Sequence, residues 1–270
     1  MKQLIFFCIT LLICFSCSKS SDSKVSKQDS ETSNDTKTIA AVQEEVSENF
    51  YVMVPSGLKL REKPNGDKIK TIPYRAEVER IGMKTFGTLE VEEVKGLKVK
   101  GDWIKVRYKG KEGYVFNGFL TKYKMPKQVK GYDYEKYNSI FDYYLTTTYD
   151  KDGDKYNVEK MKDCIDENPI HCYMAYTQDY QNGDIKYHYE FTGTSLDENL
   201  TFRGMTLIEA YFLIKAMDLN GASNTEYDVK EIITYDKTKN MISFEVDGAG
   251  CYSDIKEEGD DVVISIFCGC

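Results

Sequence analysis

The chain contains few of the residues that catalytic and nucleic-acid-binding sites need. It has only two histidines and one tryptophan among 270 residues, and its net charge is −8. Two histidines give little support for a His-dependent catalytic site. A negative net charge, with no basic stripe on a known nucleic-acid fold, argues against DNA or RNA as a partner. We therefore expect no enzyme activity, no cofactor, no metal site and no nucleic-acid partner.

Long apolar runs are also missing, except at the start of the chain. Lys2 precedes an apolar run from Leu4 to Phe15, which is too short for a comfortable permanent membrane span and predicts a secretory signal. The run ends in Cys14-Phe15-Ser16-Cys17, which resembles a relaxed lipobox of bacterial lipoproteins. This resemblance implies a signal peptide over residues 1–17, acylation (palmitate) at Cys17, and a membrane-anchored protein on the periplasmic face or the cell surface. An ordinary cleaved signal or an uncleaved anchor is the alternative.

Aromatic residues are absent from residues 18–38, which contain seven serines and balanced charges. Such a segment buries too little apolar surface to fold. We predict a disordered tether over residues 18–49, which keeps the folded part away from the membrane while the acyl chains hold the protein there.

Five cysteines follow Cys17, and export places them in an oxidising compartment where disulfides are the default. They are Cys164, Cys172, Cys251, Cys268 and Cys270. If Gly259-Asp260 is a two-residue hairpin turn, Cys251 faces Cys268 across a non-hydrogen-bonded pair. We predict a disulfide there, with Cys164 and Cys172 as a second bridge and Cys270 spare. A two-residue slip would make Cys270 the partner of Cys251 instead.

Residues 50–122 alternate short β-like runs with turn residues, which is typical of a small antiparallel barrel. The most distinctive residues are Gly57-Leu58-Lys59-Leu60-Arg61, Pro64, Asp102-Trp103-Ile104-Lys105-Val106-Arg107-Tyr108, Gly110, Gly113-Tyr114-Val115 and Phe119-Leu120-Thr121. Together they resemble the bacterial SH3 family (SH3b). The resemblance implies an all-β SH3-like barrel that binds peptidoglycan or a protein or peptide ligand in the cell envelope and has no catalytic activity of its own. Two departures are Lys63, where the family usually has Gly, and a long Lys/Glu-rich loop over residues 83–101.

The segment DWIKVRYKGKEGYV, residues 102–115, predicts which residues of this barrel bind the ligand. If Lys109-Gly110 forms a two-residue turn, Lys105 pairs with Tyr114 and Trp103 pairs with Phe116. Because side chains alternate between faces, one set points outward together. This set is Trp103, Lys105, Arg107, Tyr114 and Phe116. We predict an aromatic shelf edged with cations that stacks on a sugar or peptide. Coverage by the barrel's own loops or by a neighbouring domain is the alternative, and a barrel that acts only as a spacer is another.

The two halves of the chain carry opposite charge. Residues 51–122 contain 16 Lys/Arg against 9 Asp/Glu, a net charge of +7. Residues 123–270 contain 15 Lys/Arg against 28 Asp/Glu, a net charge of −13. The halves could therefore dock on each other.

Residues 130–270 predict an α+β domain with an antiparallel sheet, of unknown function. Aromatic residues at helical spacing indicate a helix over residues 133–145, and Thr206-Leu207-Ile208-Glu209 is a capping box that opens a second helix, ending near Met217. Alternating runs at 185–191, 230–236, 241–247, 251–258 and 261–268 predict a meander of strands.

Three patterns in this half invite a functional interpretation that we consider weaker than the structural one. Asp150 to Asp154 resembles the start of a calcium loop, but Lys155 and Met161 replace the required Gly and Glu. Cys164, with His171 and His188, invites comparison with the NlpC/P60 cysteine peptidases, which makes a cell-wall hydrolase the alternative function. The 21 tyrosines could form a carbohydrate surface, although tyrosine is also common on half-buried sheets.

Overall fold

The computed structural model describes residues 47–127, 136–160, 173–217, 231–246 and 250–269. Within these ranges, no helix is both long and apolar enough to cross a membrane. Residues 44–270 make one compact unit, which contains two antiparallel sheets. The predicted signal peptide, the lipidation site Cys17, the tether up to residue 46, and the cysteines Cys164, Cys172 and Cys270 lie outside the described residues.

The first sheet has seven antiparallel strands and curls into a half-barrel, in line with the expected SH3-like fold. Its strands are β1 (Glu48–Val52), β2 (Leu58–Arg61), β3 (Lys68–Ile72), β4 (Glu77–Val94), β5 (Leu97–Tyr108), β6 (Lys111–Phe116) and β7 (Leu120–Thr121), with a 3₁₀ turn at Asn117–Phe119. They are ordered β3-β2-β6-β5-β4-β1-β7. The predicted register is confirmed, since Lys105 lies opposite Tyr114 and Trp103 opposite Phe116.

The prediction of a loop over residues 83–101 is wrong, because this insertion continues β4 and β5 as a long hairpin. Val91 pairs with Val99 and Glu90 with Lys100, so the ladder runs almost to the turn. Gly96 closes that turn with φ 84°, and its backbone N donates to Glu92 Oε1 at 2.9 Å. A high content of Lys and Glu hid an alternating apolar face, which is the real strand signal.

The second sheet has eight antiparallel strands, of which the alternating runs predicted five; the strands at 156–160, 174–180 and 195–203 were not predicted. Its strands are β8 (Tyr156–Lys160), β9 (Met174–Tyr180), β10 (Ile185–Phe191), β11 (Ser195–Arg203), β12 (Glu231–Asp236), β13 (Met241–Val246), β14 (Cys251–Glu258) and β15 (Asp261–Gly269). They are ordered β12-β13-β14-β15-β11-β10-β9-β8. One face is apolar and buried, with Leu200, Phe202, Ile242, Phe244, Ile255 and Ile264 fully covered.

The hairpin of β14 and β15 has the predicted register and carries the predicted disulfide. Glu258 pairs with Asp261 across the turn, and Gly259 there has φ 68°. Cys251 consequently lies opposite Cys268, with a Cα–Cα distance of 4.0 Å, and the two are joined by a disulfide. The alternative pairing of Cys251 with Cys270 is excluded by this bond.

The first helix begins later than the aromatic spacing predicted. Helix α1 spans Ile140–Thr148, and the part of the prediction before residue 136 lies outside the described residues. Ser139 is the N-cap of this helix, because its side chain accepts a hydrogen bond from Asp142 N at 3.1 Å. A serine three residues before an acidic residue is a start signal that the spacing argument overlooked.

The second helix confirms its predicted start. Helix α2 spans Leu207–Met217, and Thr206 Oγ1 accepts from Glu209 N at 3.4 Å while Glu209 Oε2 accepts from Thr206 N at 2.8 Å. The helix packs on the buried face of the second sheet, where the ring of Tyr211 stacks on that of Phe244.

Apolar and aromatic side chains join the two sheets into one core. Tyr123 and Met125, which follow the barrel directly, are both almost completely buried. The ring of Tyr123 meets Phe202 edge-on at 4.9 Å, and its hydroxyl donates to the carbonyl of Arg203 at 2.6 Å. The interface between the oppositely charged halves is therefore a buried core, and the segment at residues 123–126 contributes to it.

Candidate ligand-binding groove

Strands β5 and β6 place the five predicted shelf residues on one face, but the structure divides them into two groups. Trp103 is 6% exposed and Phe116 is 4% exposed. They form a small cluster with Val99, separate from the main core on the other face of these strands. The expectation of an exposed aromatic shelf is therefore wrong for these two rings.

The cover over the two rings comes from residues distant in sequence. Phe86, Leu89 and Val91 of the long hairpin pack on the cluster, as does Ile208 of α2. This is the coverage by loops and by a neighbouring domain that the sequence left as the alternative. Both rings remain accessible from one side, since each lines a groove that opens beside the hairpin.

Lys105, Arg107 and Tyr114 lie outside that groove. Lys105 Nζ is 2.7 Å from Glu112 Oε2, and Arg107 forks between Glu112 Oε1 and Glu79 Oε2, at 3.0 Å to each. Hydrogen bonds from these cations hold the pKa of the Glu112 carboxyl below its usual value. Their charge is consequently balanced within the sheet, which removes the cationic edge that was predicted for the shelf.

The groove has a volume of about 600 Å³ and lies between three walls. One wall is the segment before and at the start of β2, another is the long hairpin, and the third is α2. The lining residues are Val54, Pro55, Ser56, Gly57, Leu58, Lys59, Arg61, Leu89, Val91, Glu93, Trp103, Phe116, Phe119 and Phe212. A volume of this size holds a small ligand or a short stretch of a longer one.

Lys59, Arg61 and Glu93 are the charged residues within this mostly apolar lining. The guanidinium carbon of Arg61 lies 5.8 Å from the centre of the Trp103 ring, and Arg61 Nη1 donates to the carbonyl of Gly66 at 2.6 Å. Arg61 Nε is buried and has no hydrogen-bond partner among the described residues. Desolvation raises the pKa of the Glu93 carboxyl. The groove thus combines a donor and an acceptor for a polar ligand with aromatic surface for its apolar parts.

The wall before β2 depends on one glycine. Gly57 has φ 76°, and its backbone N closes a turn onto the carbonyl of Val54 at 2.9 Å. A Cβ at this position would lie 2.6 Å from the carbonyl oxygen of Ile72. Any larger residue would push the wall away from β3, so the shape of the groove at this end requires glycine.

Residues 56–121, about a quarter of the chain, match the family model described as the bacterial SH3 domain. This part of the chain is a bacterial SH3 domain. No curated protein and no solved structure matches the chain. The match begins at the turn of Gly57 and ends with β7, so it includes most of the groove.

Phe212 lines the groove from outside the bacterial SH3 domain, and sequence reasoning did not find it. Phe212 comes from α2, and its ring meets Phe119 of the SH3 domain edge-on at 5.9 Å. No local pattern could have placed it there. Arg61, in contrast, lies in the segment that carried the resemblance, and the alternation of Leu89, Val91 and Glu93 was a readable strand signal in the insertion.

The remaining candidate residues come from the second half of the chain. His188 sits on β10, where its Nδ1 is 3.3 Å from Thr177 Oγ1. Cys164 and His171, its proposed partners in a hydrolase, are outside the described residues. In the acidic segment after α1, Asp152 Oδ2 accepts from the backbone N of Gly183 at 2.7 Å, which is a structural role in a turn.

Proposed function

We propose that this protein is a lipid-anchored cell-envelope protein that holds a peptide ligand, in peptidoglycan or in another envelope protein, in the groove of its SH3 domain. Bacterial SH3 domains commonly bind peptidoglycan or proteins. The observation that carries the proposal is the groove itself, in which Arg61 and Glu93 flank a floor that contains Trp103, Phe116, Phe119 and Phe212. The proposal contains no catalytic step and no cofactor.

The chemistry of the lining favours a ligand with both charged and apolar parts. The Arg61 guanidinium suits a carboxylate, whereas Glu93 suits an ammonium group or an amide donor. Aromatic and aliphatic surface between them suits a sugar ring or a small side chain. A peptide that carries free amino and carboxyl groups, such as the peptide part of peptidoglycan, combines these features.

Anchoring at Cys17 would complete this arrangement. The short apolar run before Ser16 and the Ser-rich segment after Cys17 support an acylated N-terminus followed by a tether. A tethered SH3 domain would then reach ligand near the membrane while remaining attached to it.

The test is co-sedimentation of the full-length protein, in non-ionic detergent, with purified sacculi. Glu93→Lys reverses the charge of the acidic group in the groove and should weaken binding about tenfold, which corresponds to about 1.4 kcal/mol. Glu90→Lys is the matched control, because Glu90 is on the same strand but outside the lining, and its ion pairs with Lys98 and Lys100 are exposed.

Equal binding by Glu93→Lys and the unchanged protein would refute the groove, and so would an equal loss in both variants. If the unchanged protein does not sediment with sacculi, the same variants should be tested for binding to envelope proteins instead. Trp103→Ala is a poor test, since removing a ring that is almost completely buried typically costs about 3 to 5 kcal/mol of stability.

A further inference from the structure

A second cavity lies beside the chain segment that leaves the barrel. Its volume is about 360 Å³, and it is enclosed by the segment at residues 124–127, by α1, and by the turn before β4. The lining residues are Tyr51, Arg75, Lys124, Met125, Pro126, Lys127, Ile140, Tyr143, Tyr144, Thr147, Thr148 and Met217. None of them belongs to the groove of the SH3 domain.

The charge of this cavity has one sign. Arg75, Lys124 and Lys127 line it, and none of the described lining residues is acidic. No carboxylate of the described part of the chain forms an ion pair with these three cations, whereas other cations of the barrel, such as Arg107, are paired. Three cations that no described carboxylate pairs with therefore surround one concavity. A cleft lined by one sign of charge concentrates ions of the opposite sign.

Arg75 is held in position for an anion. It adopts φ 65°, a left-handed conformation that arginine rarely takes. Its backbone N donates to the carbonyl of Val52 and its Nε donates to the carbonyl of Met125, each at 2.8 Å. Among the described residues, none accepts from the two Nη groups. The guanidinium therefore has a fixed plane and two Nη groups, with four N–H donors, that no described residue engages, which is the geometry that binds carboxylate or phosphate oxygens in pairs.

The segment that carries the two lysines is fixed from both sides. The hydroxyl of Tyr144 donates to the carbonyl of Lys124 at 2.7 Å, and that of Tyr149 donates to the same carbonyl at 3.2 Å. On the barrel side, the hydroxyl of Tyr74 donates to the carbonyl of Pro126 at 2.9 Å. Both lysine side chains are exposed but start from a rigid backbone, so only their own rotamers must be ordered when an anion binds.

The remainder of the lining is suited to the body of a small organic molecule. Tyr51, Ile140 and Met217 contribute ring and aliphatic surface, and none of them is fully exposed. A free inorganic ion would leave this surface wet. A ligand with an apolar or ring-shaped body would cover it.

We propose that this cavity is a binding site for a small organic oxyanion, in which Arg75, Lys124 and Lys127 hold a carboxylate or phosphate group and the apolar lining covers the attached ring or chain. The site is independent of the SH3 groove, because the two share no lining residue. It also does not depend on the lipid anchor.

The test is isothermal titration of the full-length protein, in non-ionic detergent, with phenyl phosphate and with benzoate, compared with inorganic phosphate and acetate. At least one of the two ring-bearing probes should bind with a stoichiometry of one and a Kd below about 10 mM, more tightly than its ring-free counterpart. Binding of phenyl phosphate alone would assign the site to phosphate esters, and binding of benzoate alone to carboxylates.

Three variants locate the binding. Arg75→Gly removes the guanidinium and should keep the fold, because glycine adopts φ 65° without steric cost. Arg75→Gly should lower the affinity for the tighter-binding probe at least about tenfold. Lys127→Gln should lower the same affinity about threefold or more. Lys111→Gln, an exposed lysine outside the cavity, should leave the Kd within about twofold. Absence of saturable binding by both ring-bearing probes would overturn the proposal, as would unchanged affinity in both cavity variants.

Discussion

Glu198 offers the sharpest test of the second sheet, because a carboxyl group at the centre of β11 is only 1% exposed. The hydroxyl of Tyr187 donates to its Oε1, and Ser139, the residue that caps α1, also contributes a hydrogen bond. Asp142 and Asp197 are the acidic groups that act on it. Glu198 therefore connects the sheet to the start of α1 in surroundings that disfavour a negative charge.

The pKa of the Glu198 carboxyl is raised from 4.5 to about 7, chiefly by desolvation and also by Asp142, against the opposing effect of the hydrogen bonds from Ser139 and Tyr187. In the folded protein the proton is thus held to a higher pH than in the unfolded chain. The resulting stabilisation is complete below pH 4.5 and is lost as the pH rises through about 7. At about 1.4 kcal/mol per pKa unit, the full effect is about 3 kcal/mol.

Glu198→Gln keeps the shape of the side chain and abolishes its titration. Urea unfolding should be measured at pH 5 and at pH 8. Between these two pH values, the free energy of unfolding should fall by about 2 to 3 kcal/mol more in the unchanged protein than in the variant. Glu245→Gln, at an exposed position on β13, is the control and should follow the unchanged protein. Parallel pH profiles for the unchanged protein and Glu198→Gln would show that Glu198 is ionised throughout, which would refute the burial argument.

Three further outcomes are expected. Reduction of the Cys251–Cys268 disulfide, which closes a sequence separation of 17 residues, should lower the free energy of unfolding by about 3 kcal/mol, and non-reducing peptide mapping should recover the linked peptides. Thr206→Ala should cost about 1 kcal/mol in urea unfolding through the loss of the cap of α2, whereas Thr147→Ala, within α1, should cost less. Cys17→Ala should abolish labelling by a radioactive fatty acid, and retained label would contradict the lipidation site.

Local rules predicted the parts of the fold that depend on neighbours in sequence. The turn at Lys109-Gly110 has φ values of 48° and 73°, and such a turn fixes the whole register of β5 and β6. The same argument at Gly259 placed Cys251 opposite Cys268. The capping box at Thr206 placed the start of α2 in the same way.

Burial of the shelf residues could not be predicted by such rules. Trp103 and Phe116 were placed correctly on one face, but Leu89 and Val91 cover them only because the insertion is a hairpin, and Ile208 covers them only because α2 packs beside the barrel. The prediction of a cationic edge on the shelf was wrong for a related reason. Glu79, which neutralises Arg107, is 28 residues away in sequence and becomes its neighbour through strand pairing.

The buried segment after the barrel has a consequence for evolution and for protein engineering. Because Tyr123 and Met125 lie inside the common core and Phe212 forms one wall of the groove, residues 56–121 are not a portable unit. Grafting them onto another chain would transfer the recognisable family sequence with an incomplete pocket and an uncovered apolar flank. A chimera that is to keep the complete groove must therefore carry α2 as well, and the heritable unit is larger than the domain that the sequence displays.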